Sequence, residues 1–187
     1  MTNKWNITKL IVAGSLGVVY LILALPGGAI VSITGVSGAG GITNMFFGAI
    51  TTTFCCLLIR KFGAATVMLS VFSICAIPLP LLGSPGFLPK VLIGISAGLI
   101  ADSVYTLLRR REKIAAIAIG VVTMSIMGLE ILGLGLLFNL PGVEKLAKFL
   151  TVPVIVSTVI VGALGSCIGY IILNKLRNTA VVKRIQA

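Results

Sequence analysis

An all-α membrane protein of six transmembrane helices, forming a single integral domain over residues 1–187 with both termini cytoplasmic, is the fold that this sequence predicts. Three observations carry that expectation. Hydrophobic residues make up 58% of the chain and charged residues only 10%, which excludes a solvated globular domain. The apolar residues fall into six stretches of bilayer length, since a hydrocarbon core roughly 30 Å thick needs about 20 helical residues whose backbone groups bond internally. The third is the placement of the basic residues in the gaps between those stretches.

The spans are Ile7–Leu25, Thr43–Ile59, Ala64–Leu82, Val91–Leu108, Ile114–Phe138 and Val152–Leu173. Lys4, Lys9, Arg60, Lys61, Arg109, Arg110, Arg111, Lys113, Lys175, Arg177, Lys183 and Arg184 lie at the two chain ends and in the gaps after spans two and four. The gaps after spans one, three and five hold only Lys90, Lys145 and Lys148. Twelve against three is the positive-inside pattern, with the first set cytoplasmic. The net charge of +11 thus reads as contact with anionic lipid, not with nucleic acid.

Span one is expected to stay in the mature chain, because Leu23-Ala24-Leu25-Pro26 is no small-x-small cleavage site. Pro26-Gly27-Gly28 should end it, and the glycine-rich, charge-free segment from Ala29 to Ile42 should fold back irregularly over the outer end as a lid or plug. Its glycines lack the G-x-x-x-x-G-K-[ST] order of a nucleotide cradle. Arg60-Lys61-Phe62-Gly63 is a tight inner turn, so spans two and three are antiparallel neighbours. Pro78 and Pro80 should unwind the outer end of span three. Arg109-Arg110-Arg111-Glu112-Lys113 makes the second inner turn, and Asn139 to Thr151 reads as a short interfacial helix. Cys55, Cys56, Cys75 and Cys167 lie within spans, and no His is present, so neither a metal site nor a cofactor site is expected.

Charged groups inside a membrane are costly unless paired or hydrated, which makes Asp102 and Glu130 the leading functional candidates. Glu130 lies 16 residues beyond Ile114, about 24 Å up the helix and in the outer leaflet. Thr123, Ile126, Met127, Gly133 and Leu134 share its face, an apolar wall with one carboxylate, as small-molecule sites have. Asp102 sits near the inner end of span four with Arg109 seven positions on, which reads as a structural ion pair. Asn44, Gly48, Thr51 and Cys55 form a weakly polar stripe on span two, and Tyr20 offers a ring and a hydroxyl at similar depth on span one. Glu130, Asn44, Tyr20, Thr51 and Met127 are therefore the candidate substrate-binding residues. Small pairs mark close helix approach: Ala13 and Gly17, Gly94 and Gly98, Gly165 and Gly169. Of these, Ala13 and Gly17 lie low in span one, where a cytoplasmically driven partner would dock.

This pattern resembles the substrate-binding S components of energy-coupling factor (ECF) vitamin transporters. The likeness spans the whole chain: six helices, termini inside, a long first outer loop, no ATPase motif, and Ala13 and Gly17 where that family has an Ala-x-x-x-Ala-type contact. The stretches Gly40-Gly41-Ile42-Thr43-Asn44-Met45-Phe46-Phe47-Gly48, Arg60-Lys61-Phe62-Gly63-Ala64-Ala65 and Gly98-Leu99-Ile100-Ala101-Asp102 are most similar to the branch associated with thiamine or its hydroxymethylpyrimidine precursor. The resemblance implies a subunit of a prokaryotic plasma membrane that captures a vitamin-like solute from outside. It further implies a transmembrane coupling subunit, with two ATPase subunits, as the energising partner, and no enzymatic activity in this chain. Two other readings remain open on the residues: a self-sufficient oligomeric carrier coupled to protons or ions through Glu130, and a lipid-modifying enzyme, for which only Asp102 and Glu112 lie near the inner face.

Overall fold

The computed structural model describes residues 5–34, 37–79, 85–138 and 152–186. The described chain is helical: α1 (Ile7–Thr34), α2 (Ser37–Ile59), α3 (Ala64–Cys75), α4 (Lys90–Leu108), α5 (Glu112–Leu137), α6 (Val152–Leu176) and α7 (Ala180–Gln186). Among these, α1, α2, α4, α5 and α6 are long and apolar enough to cross a bilayer, the architecture of a polytopic membrane protein.

α2 is the central helix, packed against α1, α3, α5 and α6, with α7 across its end. The others follow one another around it in the order α1, α3, α4, α5, α6. Lipid tails are as apolar as leucine, so such helices are held by close van der Waals contact and interhelical hydrogen bonds and not by exclusion of water. Glycine supplies that closeness. Gly165 and Gly169 of α6 lie directly on the Phe46 and Ile50 carbonyls of α2, and a Cβ at either would approach them to 2.6 Å. Gly120 and Gly162 bring α5 and α6 together backbone to backbone. Gly94 and Gly98 seat α4 on Leu69 and Thr66 of α3. Thr53 of α2 donates to the Ser166 hydroxyl of α6 at 3.0 Å, a buried polar tie beside the same contacts.

Two expectations need correction. The glycine-rich segment is helix on both sides, α1 running on through Pro26 to Thr34 and α2 beginning at Ser37. Residues 29–34 and 37–42 therefore extend the bundle and form no irregular lid or plug. Proline and glycine are tolerated in membrane helices, where neighbouring helices supply packing that a soluble helix lacks. Gly27 shows the reason for glycine here: its surface lies against Asn44 and the Gly40 carbonyl of α2.

The helix in the third apolar stretch is shorter than the span expected there. α3 has 12 residues, about 18 Å of helix. It ends before Pro78, as the two prolines led us to expect, and continues in turns in which the Ala76 and Ile77 amides donate to Phe72 and Ile74. The interfacial helix expected over residues 139–151 lies outside the described residues.

The basic segments meet at one end of the bundle. Trp5 stands beside Gly63, and the Gln186 amide donates to the Leu57 carbonyl. Both described chain ends thus share the end that holds the α2–α3 and α4–α5 turns. The α2–α3 turn closes tightly through left-handed residues, Arg60 with φ 55° and Gly63 with φ 94°. Glu112, in the first turn of α5, bridges the guanidinium groups of Arg60 and Arg177.

Candidate functional site

Glu130 lies in a groove between α4 and α5. The groove has a volume of about 390 Å³ and is lined by Leu92, Ile93, Ile95, Ser96 and Leu99 of α4 and by Glu130 and Leu134 of α5. The antiparallel pairing of the two helices sets this register. Ser96 is six residues into α4 and Glu130 is seven from the last residue of α5, so both lie about 10 Å from the end opposite the basic turns. The Glu130 Oε2 atom is buried and has no hydrogen-bond partner. Ser96 stands beside this carboxyl within hydrogen-bonding reach, and its hydroxyl also lies on the carbonyls of its own helix, Leu92 at 2.7 Å and Ile93 at 3.1 Å. An apolar groove with an unpartnered carboxylate oxygen is chemically suited to a ligand that brings a donor or a positive charge.

The other predicted binding residues do not share this groove. Tyr20 is buried, stacked on Phe72 with ring centroids 3.9 Å apart, and donates to the Asn44 carbonyl at 3.2 Å. Gly48 sits against the Tyr20 ring and the Met124 sulfur. Tyr20 and Asn44 are thus brought together as the sequence indicated, in a packed junction of α1, α2, α3 and α5. The Asn44 Oδ1 atom is buried there without a partner. Thr51 turns its hydroxyl onto the Phe47 and Gly48 carbonyls of α2, and Met127 is core.

Asp102 is not paired with Arg109. Its carboxylate accepts from the Ala65 amide at 3.0 Å, from the Thr66 amide at 3.0 Å and from the Thr66 hydroxyl at 2.7 Å, while Arg109 is exposed. The first amides of a helix have no intrahelical acceptor, and Gly63 at the cap position has no side chain to offer. Asp102 fills that role from the neighbouring helix, its charge opposed to the positive end of the α3 dipole.

The opposite end of α3 is closed by Lys90, which the sequence places in the gap before span four. Lys90 is 0% exposed, and its ammonium donates to the Ala76, Ile77 and Leu79 carbonyls at 3.1, 3.4 and 2.6 Å. Lys90 and Asp102 are twelve residues apart on α4, about 18 Å, which is the length of α3. One helix thus carries an anion for the start and a cation for the finish of its antiparallel neighbour. The sequence signal was the matched spacing of two lone opposite charges with a short, proline-terminated helix.

Ala13 and Gly17 are not a free docking face. Both are buried, and Gly17 lies against the backbone of Met68 and Phe72 on α3. Among the described residues there is no group of three His, Cys, Asp or Glu side chains placed to hold a metal ion. The chain matches no protein-family profile, no characterised protein and no solved structure.

Proposed function

We propose that this chain is a membrane-embedded solute-capture subunit, and that the Glu130 groove is its capture site. The observation that carries the reading is the unpartnered Oε2 atom of Glu130 in an apolar groove within a span. The solute is a small organic molecule with an apolar body and a positively charged or N–H donor group. A thiamine-like vitamin or its precursor, as the sequence resemblance implies, has that character. The subunit works in a prokaryotic plasma membrane, surrounded by lipid, and delivers its solute through a transmembrane coupling subunit with two ATPase subunits. That partner meets a face other than Ala13 and Gly17, which are buried, Gly17 against α3.

The test is a calorimetric titration of the purified chain in nanodiscs with thiamine and with hydroxymethylpyrimidine. Glu130→Gln should weaken binding at least tenfold, about 1.4 kcal/mol, with unchanged helix content. Equal affinity of wild type and variant removes Glu130 from the site. The same carboxylate is also what a proton-coupled carrier needs, so proteoliposomes containing this chain alone decide between the two. Solute accumulation driven by a proton gradient, without ATPases, establishes the carrier in place of the capture subunit.

A further inference from the structure

We infer that the Glu130 groove takes an amphiphilic amine, a cationic N–H donor head on an apolar body, and takes it from the lipid side between α4 and α5. The inference rests on the reading of Glu130 as the capture residue and adds the ligand class and the route.

The head group follows from the polar atoms of the groove. Glu130 Oε2 has no partner, and Ser96, the other polar residue of the lining, lies beside the same carboxyl and on the Leu92 and Ile93 carbonyls of its own helix. An unpartnered carboxylate oxygen calls for a ligand that brings a positively charged N–H donor. The nearest cation on α4 does not meet this demand, because Lys90 is turned toward α3 by its three carbonyls. The body of the ligand follows from the remaining lining, which is Leu and Ile throughout.

The route follows from what stands at the groove's sides. Phe87, just before α4, and Phe138, just after α5, meet edge to face with centroids 5.7 Å apart. They bridge the helix seam about 12 Å beyond Glu130, at the end away from the basic turns. The lateral side has no such bridge among the described residues. Leu92 and Leu99 on its rim are 63% and 43% exposed, and at this depth in a span an exposed leucine faces acyl chains.

The experiment places a reporter on the rim. In a Trp5→Phe background, Ile95→Trp supplies a single tryptophan beside the groove, and the chain is reconstituted in nanodiscs of uncharged phosphatidylcholine. Quenching is measured with a long-chain alkyl amine brominated near its head, and with the alcohol of equal length and bromination. The amine should reach half-quenching at roughly a tenth of the membrane concentration that the alcohol needs, and Glu130→Gln should abolish the difference. If Ile95→Trp does not fold, Leu92→Trp carries the reporter. Equal quenching by amine and alcohol, or a preference that survives Glu130→Gln, overturns the inference. Loss of thiamine binding in Glu130→Gln without any amine preference also overturns it while leaving Glu130 as the capture residue. An amine preference that depends on Glu130, with thiamine binding absent, supports it and removes the vitamin reading.

Discussion

Replacing Asp102 with alanine removes the acceptor that holds the first turn of α3. The Ala65 and Thr66 amides lose their shared carboxylate, and the Thr66 hydroxyl loses the same partner. A buried donor left without an acceptor costs about 1–3 kcal/mol, and loss of a helix cap typically costs about 1 kcal/mol. The site is buried among Ala64, Ala65, Ala97 and Ala101, where water does not replace the lost oxygen. Asp102→Ala should therefore destabilise the bundle by about 3–5 kcal/mol. Asp102→Asn keeps one acceptor oxygen and should cost about 1–2 kcal/mol. Arg109→Ala should stay within about 0.5 kcal/mol, as exposed positions do. The assay is equilibrium unfolding in mixed micelles of rising dodecyl sulfate fraction, followed by circular dichroism, with hydrogen exchange at the Ala65 and Thr66 amides to localise the effect. If alanine and asparagine cost the same, or if Arg109→Ala costs as much as Asp102→Ala, the cross-helix cap is wrong and the ion pair is restored.

Gly17→Leu drives a side chain into the Met68 and Phe72 backbone of α3, so it should lower stability in the same assay by about 3 kcal/mol or more, as forced overpacking does. Wild-type stability in the Gly17→Leu chain would show that α1 and α3 are not apposed there. Glu112→Gln loses its two charge pairs at the basic end. The groups are partly solvated, so the cost should be about 1 kcal/mol, and the gap between wild type and variant should shrink from about 0.05 to about 1 M salt; a gap that salt leaves untouched would exclude these ion pairs as its source.

Five of the six expected spans and the tight turns joining α2 to α3 and α4 to α5 were legible in the sequence, because hydropathy and basic clusters report directly on the solvent that a segment meets. The glycine pairs were legible for a similar reason: Gly94 and Gly98, and Gly165 and Gly169, lack side chains and are found at backbone contacts. Which partner each pair meets is a tertiary fact. Ala13 and Gly17 therefore have two readings from sequence, which their burial, with Gly17 against α3, decides. The segment after Pro26 was misread because turn propensities measured in water penalise glycine and proline more than a packed membrane helix does. Asp102 and Glu130 stood out by composition, yet their roles differ through their neighbours: Asp102 faces a helix start, whereas Glu130 faces a groove. Lys90 was hidden because a lysine at the head of an apolar helix has the same pattern whether its amine reaches water or a neighbouring carbonyl.

The two charges of α4 also bear on how the chain enters the bilayer during synthesis. α3 is too short to be released into lipid alone, and α4 alone would carry an unneutralised Asp102 into the hydrocarbon. Docked antiparallel, each removes the other's defect: the carboxylate meets open amides and the lysine meets open carbonyls. The α3–α4 hairpin is therefore the unit in which both charges are compensated.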